Sequence, residues 1–370
     1  MIITNENNYK SLDQWLAGKK KVLLVCDASL QFLHNLKEKL DAVTTPMIHF
    51  CDFQPNPLYA SIVKGVELFR NHGCDSILAI GGGSAMDVAK CIKLYSNLPG
   101  DGGNGAWLKA EIVSNDIPFL AVPTTAGTGS EATRYAVIYY EDAKQSITSE
   151  TIIPDTVLFD PSVLKTLPVY QKKATMMDAL CHAIESFWSV NSTPESKHCS
   201  YRALRGVLEH MEGYLTNTEE GNEGMLLAAH NAGEAINITQ TTAGHAMCYK
   251  ITSLFGCAHG HAAILCDRIL YQWMTENTDR CIDPRGEVYL RDTLDEIGRA
   301  MGCADAASGA AKLNKIFNSL ELSVPAATDI QFTELKISVN PVRLKNHPLA
   351  LDEETIDRLY HKILRKAYES

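Results

Sequence analysis

Short apolar runs alternate with amphipathic stretches over residues 1 to about 160. The apolar runs are bounded by turn residues, as expected of strands buried on both faces: residues 21–25, 47–50, 76–80 and 119–122. Between them, residues 58–71 and 85–95 show the three-to-four spacing of helices. Strands that alternate with helices in this way predict an α/β fold with a doubly wound parallel sheet.

The pattern changes in the second half of the chain. Before that point, residues 135–140 and 145–149, joined by the polar EDAK, predict a hairpin appended to the sheet, and residues 156–159 predict one more strand. From about Val169 onward, Ala, Leu, Met and Glu recur at helical spacing, with turn signals at 191–194 and 216–224. We therefore predict an N-terminal α/β domain over residues 1–162 and an all-α C-terminal domain over residues 163–370.

Composition narrows the class of protein. The chain has 370 residues, 45% hydrophobic and 21% charged, which is enough for two domains with large cores. A net charge of -10 with scattered Lys and Arg argues against a nucleic-acid partner. The opening MIITNENNYKSLDQW is not a secretory signal, and no apolar run predicts a membrane span. Eleven dispersed cysteines without a CxxC pair are typical of a reducing compartment, so we expect a cytoplasmic protein.

The loops that follow the predicted strands are candidate binding sites, because open parallel sheets bind ligands at the carboxyl ends of their strands. Gly81, Gly82, Gly83 and Ser84 follow one strand and begin a helix, whose free amides and dipole suit a pyrophosphate. Asp87, one turn further, can cap amides or meet a cofactor hydroxyl. The alternative is a glycine-rich turn that binds nothing.

A second loop strengthens the prediction of a dinucleotide site. PTTAGTGS over residues 123–130 offers four hydroxyls and two glycines after another buried strand. Asp27 ends the first strand, where a carboxylate accepts hydrogen bonds from an adenosine 2′-hydroxyl and repels a 2′-phosphate, which favours NAD over NADP. Asp27 is equally well explained as the N-cap of the following segment, and the two roles are compatible.

A set of Asp and His residues predicts a metal site. Asp178 and His182 stand four apart in a helical stretch, so they share one face. Alone, such a pair is more often an ordinary surface pair. His245 and His259 complete three imidazoles and one carboxylate, which suit iron(II) or zinc and leave a position for a substrate oxygen.

Two neighbours of these residues have open roles. Glu185 lies one turn beyond His182 and is either a carboxylate behind the ligands or a solvated helix residue. His261 lies two residues from His259, so its role stays open, whereas the remaining histidines are interpreted as surface or core residues.

In these motifs the chain resembles the iron-containing, or type III, alcohol dehydrogenase family. The resemblance spans nearly the whole chain and rests on PNP at 55–57, AIGGGSAMDVAK at 79–90, PTTAGTGSEAT at 123–133, DALCHAIE at 178–185 and the His245/His259 pair. It implies a dinucleotide-binding domain over residues 1–162, a helical metal-binding catalytic domain over residues 163–370, and a cleft between them. The implied cofactors are NAD(H) or NADP(H) and one divalent ion, Fe²⁺ or Zn²⁺.

The resemblance also assigns residues by position. The implied metal ligands are Asp178, His182, His245 and His259. The implied cofactor contacts are Asp27, Asn56, Gly82, Gly83, Ser84, Asp87, Thr124, Thr125, Thr128 and Lys144. Dimers are common in the family, so we expect a homodimer.

One departure from the family concerns the substrate. Tyr249 stands where many members have a second histidine, and Lys250 follows it. Arg134, Arg343 and Lys345 add further cations, which together suit an anionic substrate, although any one of them is more often solvent-facing. We predict Tyr249, Arg134 and Lys250 as catalytic residues, with Tyr249 either a proton donor or a packing or substrate-binding residue.

The reaction expected is the reduction of a small anionic aldehyde. The branch of the family that this pattern most resembles reduces phosphonoacetaldehyde to 2-hydroxyethylphosphonate in phosphonate biosynthesis. A generic short-chain alcohol or diol dehydrogenase is the first alternative. A lyase similar to dehydroquinate synthases, which use NAD and a metal but recycle the cofactor, is the second, and a nucleotide-binding protein without catalysis is the third.

Overall fold

A computed structural model of the chain describes residues 2–4, 9–141, 143–339 and 341–367. The chain divides into two compact units. The first contains Met1–Leu167 and Asn217–Leu226, and the second contains Pro168–Thr216 and Leu227–Ser370. The short segment Asn217–Leu226 therefore belongs to the first unit although its neighbours in sequence belong to the second, a feature that the sequence pattern does not indicate.

A parallel sheet forms the centre of the first unit. The strands of this unit are β1 (Ile2–Thr4), β2 (Val22–Cys26), β3 (Met47–Phe50), β4 (Ser76–Gly81), β5 (Phe119–Pro123), β6 (Tyr135–Tyr140), β7 (Ala143–Thr148) and β8 (Thr156–Phe159). Its helices are α1 (Lys10–Leu16), α2 (His34–Asp41), α3 (Tyr59–Asn71) and α4 (Gly83–Tyr95). Six of the described strands pair in the order β1-β8-β5-β4-β2-β3, all parallel, which confirms the predicted α/β fold class.

Burial within the sheet follows the apolar runs. Every residue of β2, β4 and β5 is buried, because these strands lie inside the sheet and helices pack on them. The prediction that β3 is buried on both faces is wrong. β3 is an edge strand, and although Phe50 is buried, His49 is exposed. A four-residue apolar run does not distinguish an edge strand from a central one.

The predicted hairpin forms, but its attachment differs from the prediction. β6 and β7 pair antiparallel in a two-stranded sheet of their own and do not extend the parallel sheet. Tyr140 pairs with Ala143, so β7 begins inside the predicted EDAK turn. The hairpin is held by the helices instead, since Val137 N donates to Asp87 Oδ2 at 3.1 Å and β6 packs on α3 and α4.

The second unit is helical, as predicted. Its described helices are α5 (Val169–Trp188), α6 (Pro194–Leu215), α7 (Glu219–Thr239, which begins in the first unit), α8 (Ala243–Phe255), α9 (His259–Glu276), α10 (Glu287–Ala300), α11 (Ala306–Ser319), α12 (Asp329–Ile337), α13 (Pro341–Leu344) and α14 (Glu353–Ile363). A two-residue parallel pair, β9 (Ala326–Ala327) with β10 (Arg365–Lys366), is the exception to the all-α prediction.

Helix starts explain one correct and one wrong turn prediction. The turn predicted at 191–194 is observed, since Thr193 and Ser196 form a capping box at the start of α6. The turn predicted over 216–224 is too long. Thr218 Oγ1 accepts from Gly221 N at 3.1 Å, so the chain becomes helical from Glu219 despite its glycines.

Two further observations concern the predictions about membrane spans and disulfides. No helix in the described part of the chain is long and apolar enough to cross a membrane. All eleven cysteines lie in described residues and none forms a disulfide. Seven of them are buried, as small apolar side chains usually are.

Candidate cofactor and metal sites

The turn between β4 and α4 allows close approach to its backbone. β4 ends at Gly81, Gly82 is the N-cap of α4, and no side chain caps this end. The first amides of α4, from Gly83 and Ser84, have no acceptor within the helix, so they are available to an anion. A Cβ at Gly81 would lie 2.5 Å from the Cβ of Ala85, so a larger residue would displace the first turn of α4.

The two predicted nucleotide loops contact each other. A Cβ added to Gly82 would lie 3.3 Å from the side chain of Thr125, and one added to Gly83 would lie 3.1 Å from that of Thr128. Thr124 N donates to the carbonyl of Gly81 at 3.0 Å. The glycine turn and the threonine loop therefore form one continuous surface, and the absence of side chains at the glycines keeps it open.

A polar network lies beneath this surface. Asp87 Oδ1 accepts from Ser130 Oγ at 3.1 Å, and its Oδ2 accepts from Val137 N. Lys90 is completely buried, and its Nζ donates to Ser130 Oγ at 3.2 Å and to two backbone carbonyls at 2.7 Å each. Asp87 thus connects α4 with the hairpin, and its contact with the cofactor stays a prediction.

The charges in this network shift each other's pKa. Burial raises the pKa of Asp87 to about 6, against the opposing effect of Lys90. Burial lowers the pKa of Lys90 to about 8, against the effects of Asp87 and Glu131. Lys144 is half-buried on β7 and also lowers the pKa of Asp87, which places it near this network. Lys90 was not among the predicted site residues, although its position in an apolar helix, three residues after Asp87, was a signal in the sequence.

A cavity of about 900 Å³ opens where β2 ends, and Asp27 and Pro55 are among its lining residues. This volume is within the range of small-molecule pockets. Asp27 Oδ1 accepts from Ser29 N at 2.8 Å, so the predicted N-cap role is observed. Its Oδ2 lies 3.6 Å from the position of a Cβ at Gly81, beside the glycine turn. Asn56, the other predicted adenosine contact, is exposed with a φ of 59°.

The four predicted metal ligands come together within the second unit. Asp178 and His182 lie on α5, His245 on α8, and His259 is the first residue of α9. Asp178 Oδ1 is 3.4 Å from His245 Nε2 and 3.9 Å from His259 Nε2. The rings of His182 and His245 stack with centroids 4.5 Å apart. Atoms bound to one ion at about 2.1 Å lie within about 4 Å of each other, so these spacings suit a shared ion.

Glu185 lies directly behind His245. Its Oε1 accepts from His245 N at 3.0 Å and from Nδ1 of the same residue. Its Oε2 accepts from Thr242 Oγ1 at 2.6 Å and from Thr242 N. Because Nδ1 is bound by Glu185, Nε2 of His245 faces Asp178, the orientation that a metal ligand requires.

Negative charge is concentrated around these imidazoles. Burial alone raises the pKa of Asp178, but the neighbouring imidazoles, His182 first, lower it below its ordinary value. Burial also raises the pKa of Glu185, yet the charge and hydrogen bond of His245 bring it down to about 2. Asp267 lies beside this pair, and burial followed by the charge of Glu185 raises its pKa well above the ordinary value. Asp267 was not among the predicted site residues.

These residues fit a divalent ion. Asp178 Oδ1 and His245 Nε2 are buried without a hydrogen-bond partner among the described residues. Burial lowers the pKa of His245, but Glu185 and Asp178 outweigh it and raise the value to about 10. The site thus favours a positive charge, which a proton or a metal ion supplies. Three imidazoles and one carboxylate are a donor set for iron(II) or zinc.

Tyr249 and Arg343 lie beside the most exposed ligand. The ring of Tyr249 stacks on that of His259, with centroids 5.3 Å apart and 29° between planes. The guanidinium carbon of Arg343 lies 4.9 Å from the centroid of Tyr249, and its NH1 donates to Thr241 Oγ1 at 3.0 Å. Burial raises the pKa of Tyr249 against the opposing effect of Arg343, so its phenol stays protonated near neutral pH.

The two cations predicted as catalytic residues, Arg134 and Lys250, have carboxylate partners. Arg134, in the first unit, pairs with Glu150 at 2.6 Å. Lys250 pairs with Glu334 at 3.3 Å. Both pairs are partly exposed, so they are weak and do not prevent either cation from changing partner. Among the described residues, Arg343 contacts Tyr249, whose ring stacks on the ligand His259.

Comparison with known protein families gives a match in both halves of the chain. Residues 1–161 match the iron-containing alcohol dehydrogenase family, and residues 172–363 match the C-terminal region of the same family. Alcohol dehydrogenase 4 of Schizosaccharomyces pombe is 32% identical over 302 residues, which are 79% of this chain and 69% of that protein. Phosphonoacetaldehyde reductase of Streptomyces viridochromogenes is 32% identical over 327 residues, 85% of this chain and 82% of that protein.

Solved structures are similar over almost the whole chain. Sulfoacetaldehyde reductase of Bifidobacterium kashiwanohense, in complex with NAD⁺, has a TM-score of 0.86 at 25% identity and covers 98% of this chain and 96% of its own. An alcohol dehydrogenase from Oenococcus oeni also has a TM-score of 0.86, and at 23% identity it supports the fold alone. The predicted resemblance is thus confirmed: the chain belongs to the iron-containing alcohol dehydrogenase family and is an oxidoreductase of the alcohol dehydrogenase type.

Proposed function

We propose that this enzyme is a metal-dependent, NAD-linked reductase of a small anionic aldehyde such as phosphonoacetaldehyde, which it converts to 2-hydroxyethylphosphonate. The observation that carries the proposal is the stack of Arg343 on Tyr249 and of Tyr249 on His259. Two relatives support the substrate class, since one is a phosphonoacetaldehyde reductase and the other a sulfoacetaldehyde reductase.

Arg343 is suited to hold the anionic end of such a substrate. A guanidinium has five N–H donors, and Thr241 Oγ1 accepts from only one of its nitrogens. The remaining donors can bind a phosphonate or sulfonate in the paired geometry that arginine favours. The contact with the Tyr249 ring restrains the Arg343 side chain, so less conformational entropy is lost on binding.

The reaction chemistry is divided between the two units. The glycine and threonine loops of the first unit bind NAD(H), which supplies the hydride, and Asp27 favours NADH over NADPH. A divalent ion, when bound by Asp178, His182, His245 and His259, polarises the carbonyl oxygen of the substrate. Glu185 keeps Nε2 of His245 directed at the ligand position.

Tyr249 acts as a hydrogen-bond donor in the proposed reaction. Its raised pKa keeps the phenol protonated, so it carries a proton that it can donate to a substrate oxygen. Compared with a histidine at this position, a phenol carries no positive charge, and the charge that meets the substrate comes from Arg343 instead.

The test compares aldehydes that differ in charge. Purified protein loaded with iron(II) or zinc is assayed with NADH and NADPH on phosphonoacetaldehyde, sulfoacetaldehyde, acetaldehyde and propanal. We expect a higher kcat/KM on the anionic aldehydes with NADH. In Arg343→Gln, KM for the anionic aldehydes should rise about 10- to 100-fold, the range for loss of a charged hydrogen bond, while acetaldehyde turnover stays unchanged.

Lys345→Gln is the matched control, because Lys345 is a nearby exposed cation. It should behave as wild type on all four aldehydes. A wild-type preference for the neutral aldehydes would refute the anionic substrate and favour a generic alcohol dehydrogenase. Absence of sustained NADH consumption on any aldehyde would refute the reductase and favour a lyase that recycles its cofactor.

A further inference from the structure

The first turn of α9 carries the ligand that is least enclosed by protein. The His259 side chain is 37% exposed, compared with 3% for Asp178 and 2% for His245. Ala258, the N-cap of α9, has no side chain that could cap the helix. The N–H of Ala258 donates to the hydroxyl of Tyr170, at 2.9 Å. An element outside α9 therefore holds the start of the helix on which His259 lies.

The same hydroxyl continues into a chain of hydrogen bonds. Nε2 of His261 lies 2.8 Å from the carbonyl oxygen of Ser323, and since a carbonyl only accepts, Nε2 carries a proton. With the proton on Nε2, Nδ1 of the neutral imidazole can only accept, so the Tyr170 hydroxyl donates to it at 3.1 Å while its oxygen accepts from Ala258 N. His261 is 2% exposed, and its ring meets that of Tyr170 edge to face.

This chain of hydrogen bonds joins the starts of two ligand-bearing helices. Tyr170 is the second residue of α5, the helix of Asp178 and His182, whereas His261 is the third residue of α9. At the same point α9 touches α5, because a Cβ at Gly260 would lie 2.1 Å from the carbonyl oxygen of Ala174. The first turn of α9 can therefore slide or rotate against α5 only if the Tyr170 and His261 hydrogen bonds break.

We propose that Tyr170 and His261 are positioning residues that hold His259 at its place in the metal centre. Neither residue belongs to the proposed ligand set or to the proposed substrate stack, so their effect passes through the first turn of α9. Metal ligands must be placed to within about 0.2 Å, and loss of a residue that orients a ligand typically lowers metal affinity 10- to 100-fold. This inference rests on the metal centre of the proposed function.

The test measures metal release from the holoenzyme. Tyr170→Phe removes both hydrogen bonds of the hydroxyl and keeps the ring. We expect release of Fe²⁺ or Zn²⁺ to excess chelator to become about 10-fold faster, the low end of the range, because Tyr170 is 42% exposed. Amide exchange should accelerate at residues 258–262 and not at the end of α9.

Tyr271→Phe is the matched control. Tyr271 also lies on α9, is completely buried, and donates to the carbonyl of Leu294 at 2.9 Å. Its loss should destabilise the protein at least as much as Tyr170→Phe but leave metal release unchanged. A conservative pair extends the test: His261→Gln, which keeps a donor and an acceptor, should release metal more slowly than His261→Leu.

The possible outcomes distinguish failure of the positioning role from failure of the proposed metal centre. Wild-type protein that binds no divalent ion would refute the centre. Wild-type protein that binds an ion, with equal metal release from Tyr170→Phe and Tyr271→Phe, would refute the positioning role alone. The positioning role would also be refuted if the rate of metal release in all four variants correlated with the fall in melting temperature alone. A general loss of stability would then explain the faster release.

Discussion

Gly260→Ala tests how closely the metal centre depends on the contact between α5 and α9. The new Cβ would lie 2.1 Å from the Ala174 carbonyl oxygen, 2.6 Å from the Cβ of Asp178 and 2.8 Å from its N. Ordinary contact begins near 3.4 Å, so the backbones must separate by about 1 Å. Such overpacking destabilises a protein by about 1–3 kcal/mol. A shift of this size next to His259 is several times the tolerance of a metal ligand, about 0.2 Å.

Gly298→Ala provides the control for overpacking alone. A Cβ at Gly298 would lie 2.1 Å from the Asp305 carbonyl oxygen, an equally close backbone contact between α10 and the N-cap residue of α11. Urea unfolding should show a similar loss of stability in both variants. Titration with Fe²⁺ or Zn²⁺ should show an affinity at least 10-fold lower in Gly260→Ala only. Equal metal affinity in the two variants would refute the reasoning, as would a stable Gly260→Ala that binds metal normally.

Two further predictions concern buried titratable groups. Lys90→Met removes the hydrogen bonds of Nζ and the cation that most lowers the pKa of Asp87. Urea unfolding should show a loss of about 3 kcal/mol and KM for NADH should rise, whereas unchanged stability would contradict the network. His347 is completely buried, and burial lowers its pKa from 6.5 to about 4. The neutral His347 therefore makes its full contribution to the free energy of unfolding above pH 6.5. This contribution, about 3 kcal/mol, is lost as pH falls towards 4. His347→Leu, compared with wild type by urea unfolding at pH 7 and pH 4, should lack this part of the pH dependence, and an equal decline in both proteins would contradict it.

The sequence predicted those parts of the site that depend on local spacing. Asp178 and His182 are four positions apart, so the helix itself places them on one face. The glycine turn was also predictable from local sequence, because the three glycines lie at the junction of an apolar strand and a helix.

The parts that depend on tertiary contacts were not predictable. Arg134 and Glu150 are sixteen residues apart, and only the pairing of β6 with β7 brings them together. The sequence could not rank Arg343 above Lys250, since their neighbours come from distant segments. The attachment of the hairpin to α4 rather than to the sheet likewise depends on Asp87, a residue about fifty positions before its partner Val137.

Glu185 has a consequence for how this enzyme can change in evolution. Its carboxylate accepts from Thr242 N and from His245 N. The side chain of Thr242, the N-cap residue of α8, makes no capping hydrogen bond, so Glu185 of α5 caps this helix. The carboxylate that orients one imidazole thus also starts the helix on which that imidazole lies. The start of α8 and the orientation of its imidazole therefore depend on the same carboxylate. A mutation at position 185 removes both at once, so selection on catalysis and selection on folding cannot act separately at this residue.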